Sequence, residues 1–430
     1  MPVMPHIKPL LRSNLAKSSA KLLSANVIAQ VIGFCFYPLL TRLYAPDDFG
    51  LLNVFLSIGG VLLLFATGAY YSAIVLPKSA QHAAACFQVG MCCNAVVTLL
   101  CLASLFFAPQ IAQLLGIPSL AKWYYLLPVY VFLSATWQLL NYWYIRLAKF
   151  TIISTYQVEQ SSVNALSKWS LGTAGFLQGG MLYAVVIAPL LSLLTVLMRS
   201  ISAVKPLFKI DKALCKEVAV TYRKFPQFSL PKQLVNYIGG NLPVLLLTPF
   251  FDLSYIGYFG MALTLSFVPI SIVTKSFYQV FYSAVTTKVH QGQSIWQSYR
   301  CFIALFALLV VLGFGALYWV VPSLTTWLLG SSWEATGLCI QWMLPWLAII
   351  TLTNTFDFVW DVFQKQDKQF YFELALLLLR VLALAWGIYR HDFWVTVGGF
   401  IAVSCWLRLV YAVCQYRLVH QYEKQRCKSN

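Results

Sequence analysis

Lys275 lies in the run Val268-Pro269-Ile270-Ser271-Ile272-Val273-Thr274-Lys275-Ser276-Phe277-Tyr278-Gln279, an ammonium set among apolar residues well short of the next lysine, Lys288. Ser271, Lys275, Tyr278 and Tyr282 share one face at helical spacing. A polar, cationic stripe of this kind suits a water-filled cleft and would bind a phosphate. Lys232, Asn236, Gly239 and Pro243 form a second stripe, in which Lys232 is equally placed to snorkel to a membrane edge. Gln157, Gln160, Asn164 and Lys168 form a third. It reads either as a lumen-facing surface, since lipid penalises each of those groups, or as a face for helix-to-helix hydrogen bonds. Arg380 follows Glu373 by two turns and is central enough to need a partner, which favours a structural role, while Arg408, with Ser404, Tyr411 and Gln415 on its face, snorkels most simply. Glu159, Asp357 and Asp361 are the candidates for a coupling proton or sodium ion, although Asp357 and Asp361 read first as solvated residues at a span end.

No other chemistry is legible. The chain has no Gly-x4-Gly-Lys-Ser/Thr phosphate loop, His-Glu-x-x-His pair, serine nucleophile elbow or aspartate-rich metal motif. Its five histidines fall in the tail or loops, and its eleven cysteines form no Cys-x-x-Cys pair and suit small apolar packing positions. We therefore expect no catalytic residue, no metal site and no cofactor. Binding and movement remain.

The elements that must position these residues are membrane spans. A chain of 430 residues that is 60% hydrophobic and 10% charged, with mean hydropathy +0.73, is far from soluble composition. About 20 helical residues cross a hydrocarbon core about 30 Å thick. Apolar stretches of that length predict spans near 21–41, 51–75, 84–108, 122–145, 152–176, 178–200, 228–250, 255–284, 300–322, 336–362, 370–389 and 393–416. With the amino terminus inside, the opposite side receives only Arg42, Lys122 and Arg390, and Lys168, Lys232, Lys275, Arg380 and Arg408 fall within spans. All remaining Lys and Arg face the cytoplasm, so both termini are expected there. The basic amino terminus reads as leading into a retained first span rather than a cleaved signal. The net charge of +17 sits in short juxtamembrane loops, which argues for contact with anionic bilayer lipid and against nucleic acid. Trp and Tyr cluster at span ends, as in Trp123-Tyr124-Tyr125 and Tyr142-Trp143-Tyr144, where interfacial anchoring accounts for them, although aromatic faces also stack on sugars.

The longest polar interruption, Lys205 to Gln227, divides the chain into a first six-helix half, 1–204, a basic cytoplasmic linker, 205–227, and a second six-helix half with a cytoplasmic tail, 228–430. Lys21, Leu23 and Pro38 align in order with Lys232, Leu234 and Pro249, and Phe49, Gly50 and Lys78 with Phe259, Gly260 and Lys288. These matches suggest repeats related by an axis along the membrane normal. The fold class expected is an all-α polytopic membrane protein, about twelve transmembrane helices in two halves around a central cleft.

The loop Pro38-Leu39-Leu40-Thr41-Arg42-Leu43-Tyr44-Ala45-Pro46-Asp47-Asp48-Phe49-Gly50 resembles the Arg-x-Tyr-x-Pro-x-x-Phe/Tyr-Gly signature of polysaccharide-repeat flippases in the multidrug/oligosaccharidyl-lipid/polysaccharide exporter superfamily. Phe259-Gly260-Met261-Ala262, Val268-Pro269-Ile270 and Tyr278-Gln279-Val280-Phe281-Tyr282 look like that family's second strong segment. The resemblance implies a flippase that moves an undecaprenyl-diphosphate-linked oligosaccharide from the cytoplasmic to the outer leaflet of a bacterial inner membrane by alternating access, for O-antigen, capsule or exopolysaccharide, with the polysaccharide polymerase as a possible partner. It also implies cations in a central cavity that receive the diphosphate, with Lys275 placed where such a residue on the eighth span would be. Lys275, Lys232, Asn236, Lys168, Asn164, Arg42 and Arg380 are the candidate substrate contacts. The alternatives are a multidrug or cation antiporter of the same superfamily, or a membrane glycosyltransferase or ligase of the polysaccharide pathway.

The charge asymmetry makes the orientation testable. A single cysteine introduced as Lys212→Cys, with background cysteines removed, should resist an impermeant thiol reagent in intact cells and react after lysis. Labelling without lysis would invert the assignment of every loop.

Overall fold

The computed structural model describes the backbone of residues 14–209, 211–290, 293–363 and 365–429; the side chains of 14–23, 275–276, 279–280, 282–284, 286–290, 298, 361, 366 and 427–429 are outside the described set. Among the described residues the chain is helical and has no strand. Its long helices are α1 (Asn14–Leu40), α2 (Pro46–Thr67), α3 (Ala80–Ala103), α4 (Leu126–Arg146), α5 (Phe150–Thr173), α6 (Gly180–Val204), α7 (Leu230–Leu247), α8 (Leu253–His290), α9 (Trp296–Leu329), α10 (Glu334–Thr355), α11 (Gln366–Tyr389) and α12 (Phe393–Ser429). Each overlies one expected span. Eight, namely α2, α3, α6 and α8 to α12, contain stretches long and apolar enough to cross a bilayer by composition alone. Of the other four, the part of α1 whose side chains are described, Ser24–Leu40, is apolar but shorter; these four helices carry Gln30, Gln138, Gln157, Asn164 and Lys232.

The burial pattern is that of a protein solvated by lipid. Leu99 and Leu100 on α3 are 63% and 64% exposed, and Leu305, Leu308, Leu309, Val311 and Leu312 form an exposed band on α9. Water would penalise such surfaces and hydrocarbon does not. The protein is a multi-pass, all-α membrane protein.

Packing separates the chain into two compact units, one ending at Pro249 and one beginning at Phe250. In the first, α1 lies along α5, α5 along α6, and α2 against α3, α4 and α7. In the second, α9 packs on α10, α11 on α12, and α10 against α8 and α12. The boundary falls one helix later than the linker at 205–227, because α7 lies against α2. There the Tyr237 hydroxyl donates to the Leu56 carbonyl at 3.1 Å and occupies the space that a Cβ on Gly60 would need. The linker is itself largely helical, with turns at Lys205–Phe208 and Phe225–Ser229 around an amphipathic helix, Lys212–Thr221, whose Asp211 side chain caps the Ala213 and Leu214 amides. Gln88 of α3 holds this segment by donating to the Leu207 and Lys209 carbonyls, both at 2.9 Å, and accepting from the Cys215 thiol at 3.1 Å. Burial, followed by the nearby Cys92 and Asp211, raises the Cys215 pKa and keeps the thiol a donor.

The Arg42 to Gly50 motif is a clasp. Pro46 starts α2 with its fixed φ, and the Asp48 carboxylate accepts from the Ala45 amide at 3.0 Å, closing the first turn. Tyr44, 2% exposed, reaches the end of α5 and donates its hydroxyl to the Lys168 carbonyl at 2.8 Å. That approach requires Gly180 at the start of α6, where a Cβ would lie 2.7 Å from the hydroxyl. Arg42 itself is exposed on the turn.

Tyr44→Phe, which removes only the hydrogen bond, should lower the stability of purified protein by about 1 kcal/mol. Gly180→Val should lower the thermal midpoint further, because it displaces the ring as well. A Gly180→Val protein as stable as the parent would show that the clasp does not join these helices.

Candidate functional site

The polar interior of the first unit is built between α1 and α5. Asn26, Ala29 and Gln30 on α1 meet Gln157, Gln160, Ser161 and Asn164 on α5 around a cavity of about 350 Å³. The period of α5 dictates the set, since residues three and four apart share a face. The Ser161 hydroxyl donates to the Ala29 carbonyl at 2.5 Å and ties the two helices. The side-chain oxygens of Gln30 (Oε1), Gln157 (Oε1), Glu159 (Oε2) and Asn164 (Oδ1) are fully buried without a hydrogen-bond partner among the described residues. Gln138 and Asn141 on α4 and the Tyr156 hydroxyl on α5 are in the same condition, beside a stack of Trp137 on Tyr156 with ring centroids 3.3 Å apart. An unpaired buried polar group costs about 1–3 kcal/mol, so a cluster of them belongs to a surface that meets a polar ligand or water.

Lys168 lies one turn beyond Asn164, half-buried, and makes no ion pair among the described residues. Glu159 is half-buried in the middle of α5. Lys232 and Asn236 are exposed one turn apart on α7. Lys275 is on α8, but its side chain is outside the described residues, as is that of Asp361.

The second unit treats its charges differently. Arg380 on α11 donates through Nε to the Ser404 hydroxyl of α12 at 2.9 Å, and its guanidinium lies 4.8 Å from the Phe400 ring centre and 5.4 Å from that of Trp346. Glu373, two turns away, pairs instead with Arg408 of α12 at 2.9 Å. Arg408 does not snorkel: it is 7% exposed, held by that carboxylate and by the Tyr411 ring at 5.1 Å. Asp357 is not a freely solvated end residue, since it accepts from the Tyr411 hydroxyl at 2.7 Å and from Gln415 at 3.0 Å, and Gln415 also donates to the Thr353 carbonyl. The spacing of Ser404, Arg408, Tyr411 and Gln415 along one face of α12 thus feeds a network that joins α10, α11 and α12.

The structure brings Asn164 together with residues that the sequence reading passed over, Asn26 and Gln30. The available signal was an i, i+4 pair of amides in an otherwise apolar first span. Among the described residues no group of three or more His, Cys, Asp or Glu could hold a metal ion. The arrangement can bind polar and anionic matter within a membrane protein.

A family model described as polysaccharide biosynthesis protein matches residues 39–337. No curated protein matches the chain. Among solved structures, the lipid II flippase MurJ in an inward closed conformation is 12% identical with a TM-score of 0.72, covering 94% of this chain and 87% of its own. An inward-facing multidrug resistance MATE family transporter of the MOP superfamily is 12% identical with a TM-score of 0.66, covering 94% and 95%. A MOP superfamily transporter from Pyrococcus furiosus is 13% identical with a TM-score of 0.54, covering 96% and 97%. The fold is that of these transporters.

The charge network of the second unit predicts an asymmetry. Glu373→Leu leaves a buried guanidinium unpaired, whereas Arg408→Leu leaves a carboxylate that is 42% exposed and can hydrate. Glu373→Leu should therefore lower the thermal midpoint more than Arg408→Leu does. That exposure keeps both losses below the about 3–5 kcal/mol of a fully buried pair. The double replacement should recover most of the loss, and additive losses would show that the two residues are not coupled.

Proposed function

Because the chain belongs to the polysaccharide biosynthesis protein family, we propose that it is a flippase, not an enzyme, which moves an undecaprenyl-diphosphate-linked oligosaccharide from the cytoplasmic to the outer leaflet of a bacterial inner membrane. The product would feed O-antigen, capsule or exopolysaccharide synthesis, with the polymerase as a downstream partner. The observation that carries the reading is Lys168, a half-buried ammonium within a polar helix with no counter-ion among the described residues. A cation of this kind favours an anion that arrives and leaves over a permanent ion pair. A lipid diphosphate fits, because a bare anion crossing hydrocarbon meets a prohibitive desolvation cost that protein cations and polar groups replace. Lys275, Lys232, Arg42 and Arg380 are the further cations proposed to share that task, with Asn236 and Asn164 as neutral contacts to other parts of the substrate. The lipid tail stays in the bilayer while the polar head passes by alternating access, the site opening to one side at a time.

The partnerless Glu159 oxygen favours one elaboration, a coupling proton or sodium ion bound there. Asp357 and Asp361 are weaker candidates for the same role, and Asp357 is already engaged by Tyr411 and Gln415.

Deleting the protein should leave lipid-linked repeat units on the cytoplasmic face and remove surface polysaccharide. Lys168→Ala at parental membrane abundance should restore little of it. Lys168→Arg, which keeps the charge but exchanges a compact ammonium for a planar fork, should restore part. Normal polysaccharide with raised drug sensitivity would establish the antiporter instead. Absence of the lipid-linked unit would point to a glycosyltransferase, and an exposed but untransferred unit to a ligase.

A further inference from the structure

We propose that the α1–α5 cavity of the first unit is a carbohydrate subsite that takes hydroxyl groups of the glycan and not the diphosphate; the inference rests on the flippase reading above. The chemistry of the lining points to this ligand. Asn26, Gln30, Gln157, Gln160 and Asn164 are five primary amides, and with Ser161 and the small Ala29 they complete a wall without a formal charge. A primary amide offers an acceptor oxygen and two donor hydrogens on one rigid plane, and a sugar hydroxyl is at once donor and acceptor. A ring of amides therefore matches a polyol, whereas a diphosphate needs cations and a bound sodium or calcium ion needs carboxylates or several converging oxygens at short range. Lys168, the nearest cation along α5, is not part of the wall.

Two further observations agree. The cavity, about 350 Å³, far exceeds the ~10–15 Å³ that admits one water and lies within the ~300–1,000 Å³ of small-molecule sites. Three of its amides, Gln30, Gln157 and Asn164, keep buried oxygens with no hydrogen-bond partner among the described residues, although each could have been an apolar residue at no cost to a lipid-embedded helix. Ser161 is the exception. Its hydroxyl is committed to the Ala29 carbonyl, which holds α1 and α5 together and sets the width of the cavity. The sequence shows why the amides stay uncharged: Asn or Gln stands at each of these positions where Asp or Glu would have served a cation.

The test uses the full-length protein in lipid nanodiscs, with binding read by native mass spectrometry. The probes are lipid-linked oligosaccharide extracted from cells lacking the protein, undecaprenyl diphosphate without sugar, the free oligosaccharide, and sodium chloride. The parent should bind the glycosylated lipid roughly tenfold more tightly than the bare lipid, a difference of about 1.4 kcal/mol. Gln30→Leu should abolish that preference while still binding the bare lipid, and Gln157→Leu should do the same if the first variant is poorly produced. Competition by free oligosaccharide would assign the cavity to glycan from any source; a preference without such competition would assign it to glycan delivered on the lipid. A preference that survives both replacements overturns the proposal, as does equal binding of the two lipids by the parent, which leaves the flippase reading standing. Binding that depends on sodium and strengthens in Asn164→Asp would make the cavity a cation site and also overturn it. Failure of the parent to bind either lipid would instead remove the flippase reading itself.

Discussion

Hydrocarbon offers no hydrogen-bond partner, and every polar group placed in a membrane helix must find one inside the protein, in trapped water or in a ligand. The rest of this molecule follows from that restriction. It forces the backbone into helices, turns Leu, Val and Phe outward on α3 and α9, and makes each polar side chain in a span a costly exception. The informative question for each exception is which partner it has.

The two units answer differently. In the second, Arg380, Ser404, Glu373, Arg408, Tyr411, Asp357 and Gln415 engage one another and the faces of Phe400 and Trp346, while Arg380 Nη2 and Arg408 Nε and Nη1 are buried without a hydrogen-bond partner among the described residues. The network fixes the packing of α10, α11 and α12. In the first unit the polar groups are amides on facing helices, with oxygens of Gln30, Gln138, Asn141, Gln157, Glu159 and Asn164 unpartnered, and Lys168 without a counter-ion among the described residues. Stability alone would favour apolar residues at these positions. Their retention is the physical basis for the proposal that this unit contributes contacts to a glycan.

Much of the fold was legible because hydropathy integrates over about 20 residues and tolerates local errors. All twelve expected spans overlie long helices, including α1, α4, α5 and α7, which carry amides or a lysine within their spans. The signature around Arg42 was visible as a pattern, but its physical content was not: Tyr44 is the working residue, clasping the end of α5 over Gly180, and no local spacing reports a contact so distant in sequence. Arg408 misled for a related reason. Its position near the end of a span suggested snorkelling, and only the packing of α12 on α11 reveals Glu373 beside it. The stripe on α5 was readable from its period, whereas the opposing amides of α1 required knowing which helix faces it. The helical linker was obscured by its charge, since Lys212–Thr221 buries only one narrow face against α3.

The central claim is that the protein carries the polar head of a lipid-linked glycan through the bilayer. The most direct measurement reconstitutes the purified chain into liposomes that hold lipid-linked oligosaccharide in both leaflets and follows reaction of the sugar with an impermeant oxidant added outside. Protein-free liposomes should react only to the extent of their outer leaflet. With the protein present, the inner-leaflet pool should also become reactive, and an equal amount of Lys168→Ala protein should slow that second phase. Folded protein that leaves the inner pool as protected as in empty liposomes would contradict the account.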